Sequence, residues 1–218
     1  MKRAVLTLGF VALVTTQAAA QWLGEPVWNS PKGGTGLTIS GDYAAPNSNY
    51  CSGTSCKGHT WGGRAALGLG TMSFELGVAS WKPEGAAQSF TSVGGNAAFR
   101  LIGGSLLPVA VNLQVGAART DSANATPALT RVIGAVGFSI PLPTPGLSIE
   151  PFFSPGIRST SSGGQSTARF GYAIGANIGL GTLGLHLAYD NEKRPNSQPS
   201  RGVFGIGAHL DIHLPLGL

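Results

Sequence analysis

Three of the four histidines, His186, His209 and His213, lie near the end of the 218-residue chain, interleaved with Asp190 and Asp211. In an extended chain successive side chains alternate between two faces, so these five residues share one face. A histidine oriented by a carboxylate handles protons, and beside a serine it activates the hydroxyl for hydrolysis of an ester such as a lipid. A loose metal site is another use of such a set. Polar groups in a confined interior must in any case pair with one another. The reading adopted is therefore a hydrogen-bonded interior cluster, with no catalytic residue, metal or cofactor assigned and a lipid hydrolase kept as an alternative.

Cys51 and Cys56 are the only cysteines. In an exported chain they are expected to form a disulfide within one surface loop. His59 stands nearby, but a structural metal site needs four ligands and the sequence offers no fourth. Gly179, Gly181 and Gly184 match a dinucleotide-binding fingerprint by spacing, yet they sit between two strand-like runs and open no helix.

The composition narrows the surroundings of these residues. Charged residues make up 11% of the chain, less than half of the roughly 25% typical of a soluble domain. Glycine is abundant, with 34 residues, but has no three-residue period, which excludes collagen. Lys2 and Arg3, an apolar run over 4–14 and Ala18-Ala19-Ala20 form a secretory leader, expected to be cut after Ala20. Without the leader 12 basic and 9 acidic residues remain, so the pI of 9.6 is no sign of nucleic-acid binding.

What recurs along the rest of the chain is a period of two, the mark of strands with two different faces. Ten runs show it, from Leu37-Ile39-Gly41-Tyr43 to Phe204-Ile206-Ala208-Leu210-Ile212-Leu214. Most approach the roughly nine to eleven residues of a tilted transmembrane strand. Ile133 and Phe152 break phase, and Pro151 and Pro155 are expected to make the seventh run bulge or end early. Short connections at 70–71, 103–105, 141–146 and 181–182 alternate with longer polar ones at 44–58, 82–89, 119–129, 159–167 and 191–202. This is an antiparallel up-and-down meander with both ends on the short-turn side.

Charge decides which face looks inward. Asp42, Arg64, Glu75, Arg100, Arg131, Glu150, Arg158, Arg169, Asp190 and Asp211 all fall on the polar phase, and no run carries a lysine. That phase is otherwise Gly, Ala, Ser and Asn, which suits a narrow lumen crossed by an ion-pair network of Arg64, Arg100, Arg158 and Arg169 with Glu75, Glu150, Asp190 and Asp211. The opposite phase is apolar throughout, as lipid contact requires. Tyr43, Trp61, Phe90, Phe170, Tyr172, Tyr189 and Phe204 near one end, and Phe74, Phe99 and Phe138 near the other, suggest two interfacial belts.

With its leader, dyad alternation, loop asymmetry and closing strand, the chain resembles the small outer-membrane β-barrel proteins of the OmpA/OmpX/OmpW-like class. The expected architecture is an all-β antiparallel transmembrane barrel of ten strands, or of eight as in that class, built from 35–218 after a leader at 1–20 and a lead at 21–34. The chain departs from the class in ending Pro215-Leu216-Gly217-Leu218 rather than in an aromatic residue. The resemblance implies location in the outer membrane, contact with its lipid and with the barrel-assembly machinery, and a monomer. The function expected is non-enzymatic: a structural barrel, or a narrow passive pore or small-molecule binder, with surface adhesion as an alternative.

Overall fold

The computed structural model describes residues 21–50, 57–104, 107–122, 127–196 and 198–213. The leader, the Cys51 and Cys56 pair and the chain end from Leu214 lie outside the described residues. Eleven strands follow one another: β1 (Thr35–Pro46), β2 (Gly58–Leu69), β3 (Met72–Pro83), β4 (Phe90–Gly104), β5 (Leu107–Thr120), β6 (Leu129–Ser139), β7 (Leu142–Thr144), β8 (Leu147–Ser162), β9 (Gln165–Leu180), β10 (Leu183–Glu192) and β11 (Arg201–Ile212). β7 is a three-residue arm lying against the start of β8. The other ten pair antiparallel in chain order, and β1 closes on β11 in unbroken register from Leu37↔Ile212 to Pro46↔Val203. Closure removes the sheet edges, which are otherwise unpaired rows of backbone donors and acceptors. No helix occurs among the described residues.

The two phases separate as the alternation requires. Leu76, Val93, Ile174 and Leu183 point outward and exposed, while Asp42, Arg64, Glu150, Arg158 and Asp190 are buried inside. Outward aromatics stand near both ends, with Tyr43 against Trp61 across the β1–β2 ladder at one end and Phe74, Phe99 and Phe138 toward the other. Phe90 differs from expectation: it packs inward against Trp81. Leu76 is 71% exposed near the middle of β3. Leu76→Arg is expected to cost about 2–4 kcal/mol in denaturant unfolding from lipid vesicles, because it places a cation in hydrocarbon; an unchanged midpoint would show that this face does not meet lipid.

Several strands run further than the sequence pattern suggested. β8 passes through Pro151 and Pro155 without bulging or ending, and keeps one register with β9 from Ser148↔Gly179 to Ser162↔Gln165. The prolines act on the other side. Pairing of β6 with β8 lapses between Ala135↔Gly156 and Phe138↔Phe153, beside Pro155, which has no N–H to donate. The connection at 159–167 is not a long loop: β8 and β9 extend and turn at Gly163-Gly164, where both residues have positive φ that glycine alone adopts freely. β3 also takes in Lys82, exposed at its long-loop end, so lysine is not confined to connections.

Candidate functional site

The lumen holds the lead. Residues 21–34, which the sequence marks only as a lead before the barrel, pass through it from end to end. Gln21 lies at the long-loop end, where Arg131 donates to its side-chain oxygen at 2.8 Å. Lys32 and Gly34 lie at the short-turn end, bonded to Glu150, Arg100 and Gly70. Gly33 and Gly36, both at positive φ, turn the chain back into β1.

The composition of the segment explains its fit. Pro26 and Pro31, both fully buried, have no N–H to satisfy; Pro26 follows a turn that the Glu25 amide closes on Trp22, and Pro31 lies within a turn that the Gly33 amide closes on Ser30. Its apolar side chains meet the barrel at three places. Trp22 packs with Ala79 and Ala118; Leu23 packs with Ala44, Tyr50, Trp81 and Val203; Val27 and Trp28 pack with Ile133, Ala135, Phe152, Ala173 and Ala188. Ile133 and Phe152 therefore obey the strand period after all. They point inward because an apolar partner waits there. Lumen glycines leave the room: a Cβ at Gly205 would stand 2.8 Å from the Trp28 ring, and one at Gly77 2.9 Å from Trp22.

Ion pairs form clusters around the segment. At the long-loop end Glu192 faces Arg131 at 2.8 Å and Arg169 and Arg201 at 3.3 Å. Below it Arg158 bonds Asp190 at 2.7 Å, and Asp190 also accepts from the Val27 amide. Elsewhere on the wall Arg64 bonds Asp42 through Nε and Nη2 at 2.6 and 3.0 Å and Glu75 through Nη1 at 2.7 Å. Among the described residues Arg100 and Glu150, expected to join the ion-pair network, pair with no charged side chain. Arg100 donates to the Lys32 carbonyl, and Glu150 accepts from Ser30, the Lys32 amide, Ser139 and Asn177. Glu25 is buried with neither carboxyl oxygen hydrogen-bonded among the described residues. In the loop after β1, Tyr50 accepts from the Gly24 amide and from Arg131, and burial pushes its hydroxyl above the ordinary value of 10.

The histidine set divides. His186 Nε2 donates to Asp42 at 2.5 Å, and its Nδ1 stands 3.2 Å from Nδ1 of His209. Arg64 Nη2 also stands 3.2 Å from His186 Nε2, and of the two facing Nδ1 atoms one donates to the other. The ring centroids are 5.5 Å apart with planes 21° from parallel, so the two nitrogens face each other along one line, as a proton shared between them requires. Asp211 accepts from Thr38 and lies 3.8 Å from His209. Asp190 belongs to Arg158 instead, and His213 is exposed beyond β11. No serine hydroxyl bonds either imidazole, and no group of three or more His, Cys, Asp or Glu is arranged to hold a metal, among the described residues. A cavity of about 370 Å³ opens below Trp28, lined by His186, His209, Glu75, Asn96 and Asp211 toward the short-turn rim.

Gln21 to Gly34, Asp42 and Glu192 were not assigned as site residues from the sequence. Their signal was there: a lead holding two of the four tryptophans, opposite lumen phases carrying stray Ile133 and Phe152.

Fold and lumen together define a closed ten-stranded antiparallel β-barrel, internally threaded. Among solved structures the chain is similar to the β domain of the Bordetella autotransporter BrkA, with TM-score 0.53 and 14% identity over 82% of this chain and 100% of that one. Neisserial surface protein A (NspA) superposes at TM-score 0.39 with 15% identity over 82% and 98%, and the attachment invasion locus protein Ail of Yersinia pestis at 0.36 with 14% over 82% and 99%. No protein-family model matches the chain, and no curated protein sequence matches it.

Proposed function

We propose that the protein is a closed barrel of the outer membrane, a non-enzymatic structural element of the cell envelope rather than an open pore. One observation carries this reading: residues 21–34 occupy the lumen over its whole height, anchored at both ends. The cavity below Trp28 has Trp28, Arg64 and Glu75 in its lining, with the Arg64 guanidinium 5.1 Å from the Trp28 ring. A solute entering from the short-turn rim therefore meets a wall of paired charges. The hydrolase alternative lacks support, since both nitrogens of His186 are engaged and neither neighbour is a nucleophile.

Planar-bilayer recording tests the reading. The full chain is expected to show no stable unit conductance, and a variant lacking residues 22–32 is expected to conduct. Steady conductance through the full chain sinks the closed-barrel reading.

A further inference from the structure

The grip on residues 21–34 has a particular character. Six groups lining the lumen bond main-chain atoms of the segment, spread from one end to the other. Ser92 accepts from the Leu23 amide at 3.3 Å, Tyr50 from the Gly24 amide at 2.7 Å and Asp190 from the Val27 amide at 3.4 Å. Asn177 donates to the Asn29 carbonyl at 2.8 Å, Arg100 donates to the Lys32 carbonyl at 2.6 Å and Glu150 accepts from the Lys32 amide at 2.8 Å. Donors and acceptors placed in this way hold a backbone along its length, as a sheet edge holds a peptide strand, although this backbone turns at 22–25 and at 30–33. Three of the six are charged, and hydrogen bonds to charged groups are the stronger kind. Side chains of the segment are held as well: Trp22, Leu23 and Trp28 in apolar pockets, Trp22 Nε1 by the Gly77 carbonyl, Gln21 by Arg131, Asn29 by Asn112 and Ser154, and Ser30 by Glu150.

The only covalent link between this segment and the barrel is the turn at 33–36. That turn is at the rim: Gly34 is exposed, and a Cβ added there would meet nothing within 4 Å. None of the contacts above depends on the link.

We propose that the lumen is a binding site for a polypeptide segment of about a dozen residues with a turn near each end, held through main-chain and side-chain atoms together. In this protein its own segment fills the site, and the same segment supplied as a separate peptide is able to take its place. The inference rests on the closed-barrel reading and deepens it by naming the ligand class. The segment runs with its amino end toward the long-loop mouth, as Gln21 beside Arg131 and Glu192 requires.

The test begins with the full chain carrying a protease recognition sequence between Gly34 and Thr35. The barrel is folded into detergent micelles and then cut. The released segment is expected to remain with the barrel through gel filtration and to leave on boiling. A fluorescent synthetic peptide of residues 21–34, in excess, is expected to replace it. The same peptide N-methylated at Lys32, which removes the donor to Glu150, is expected to bind at least roughly tenfold more weakly, the loss of one charge-assisted hydrogen bond. A segment that elutes free on cleavage, or a labelled peptide that never enters, overturns the proposal. If the barrel becomes conducting as its segment leaves, the closed-barrel reading survives and the binding site alone is lost. Should the inserted sequence prevent folding, the variant lacking residues 22–32 is refolded with and without the peptide. Peptide-dependent recovery of heat-modifiable gel migration supports the site, and recovery indifferent to peptide overturns it.

Discussion

Arg64→Ala is expected to cost the barrel about 3–5 kcal/mol, because removing one member of a buried ion cluster strands the others. Asp42 and Glu75 both depend on this guanidinium, and the Arg64 and Asp42 side chains are 8% and 1% exposed. Its fork engages Asp42 twice and Glu75 once, which an ammonium cannot reproduce, so Arg64→Lys is expected to recover little. Replacing the set with Arg64→Met, Asp42→Leu and Glu75→Leu is expected to restore most of the stability, since apolar side chains of similar volume carry no desolvation cost. Denaturant unfolding of the barrel in lipid vesicles measures all three. A single-variant loss below about 1 kcal/mol, the range of an exposed pair, would mean that water reaches this cluster freely.

Trp28→Ala is expected to have an effect of the same order, about 3–5 kcal/mol, typical of emptying a large aromatic site. Trp28 is the segment's deepest anchor. Its ring meets His186 edge-on with centroids 4.7 Å apart, packs on Ile133 and Phe152, and lies 5.1 Å from the Arg64 guanidinium carbon. The two substitutions share partners, so their combined cost is expected to fall short of the sum. Additivity to within about 0.3–0.5 kcal/mol in a double-mutant cycle would show that the segment and the ion cluster are energetically separate. Trp28→Ala is also expected to let current through in brief openings in a bilayer, because it removes part of the lining of the cavity at the short-turn side.

The barrel was legible because its physics is periodic. Alternation assigns every strand residue to one of two solvents, and charges such as Arg64, Glu150 and Arg158 mark the inner one at each turn of the pattern. The strand count of ten and the asymmetry of the connections follow from the same regularity. The segment was illegible because it has no period. Residues 21–29 and Pro31 are buried without a one-faced pattern, so no helix or strand template matches the segment. Only the misfits pointed to it. Ile133 and Phe152 look like errors of phase until Val27 and Trp28 are placed between them. Arg100 and Glu150 were found as lumen residues, but their partners were misassigned: spacing reveals the face a side chain occupies, while backbone atoms of a distant segment leave no mark on it. The histidines share that limit. Alternation put His186, Asp190, His209 and Asp211 on one face, yet four residues along a strand were enough to send Asp190 to Arg158 and leave His186 with Asp42.

The join between β1 and β11 also sets the order in which the molecule is made. β1 follows the segment within a few residues, and its partner is the last strand, with Thr38 bonding Asp211 across a separation of 173 positions. The chain must be almost complete before that seam forms, and contacts so remote in sequence form slowly because nearly the whole chain must first be looped. The segment is tied to β1, the strand on which that last one closes, so sealing the wall is expected to fix the contents of the interior as well.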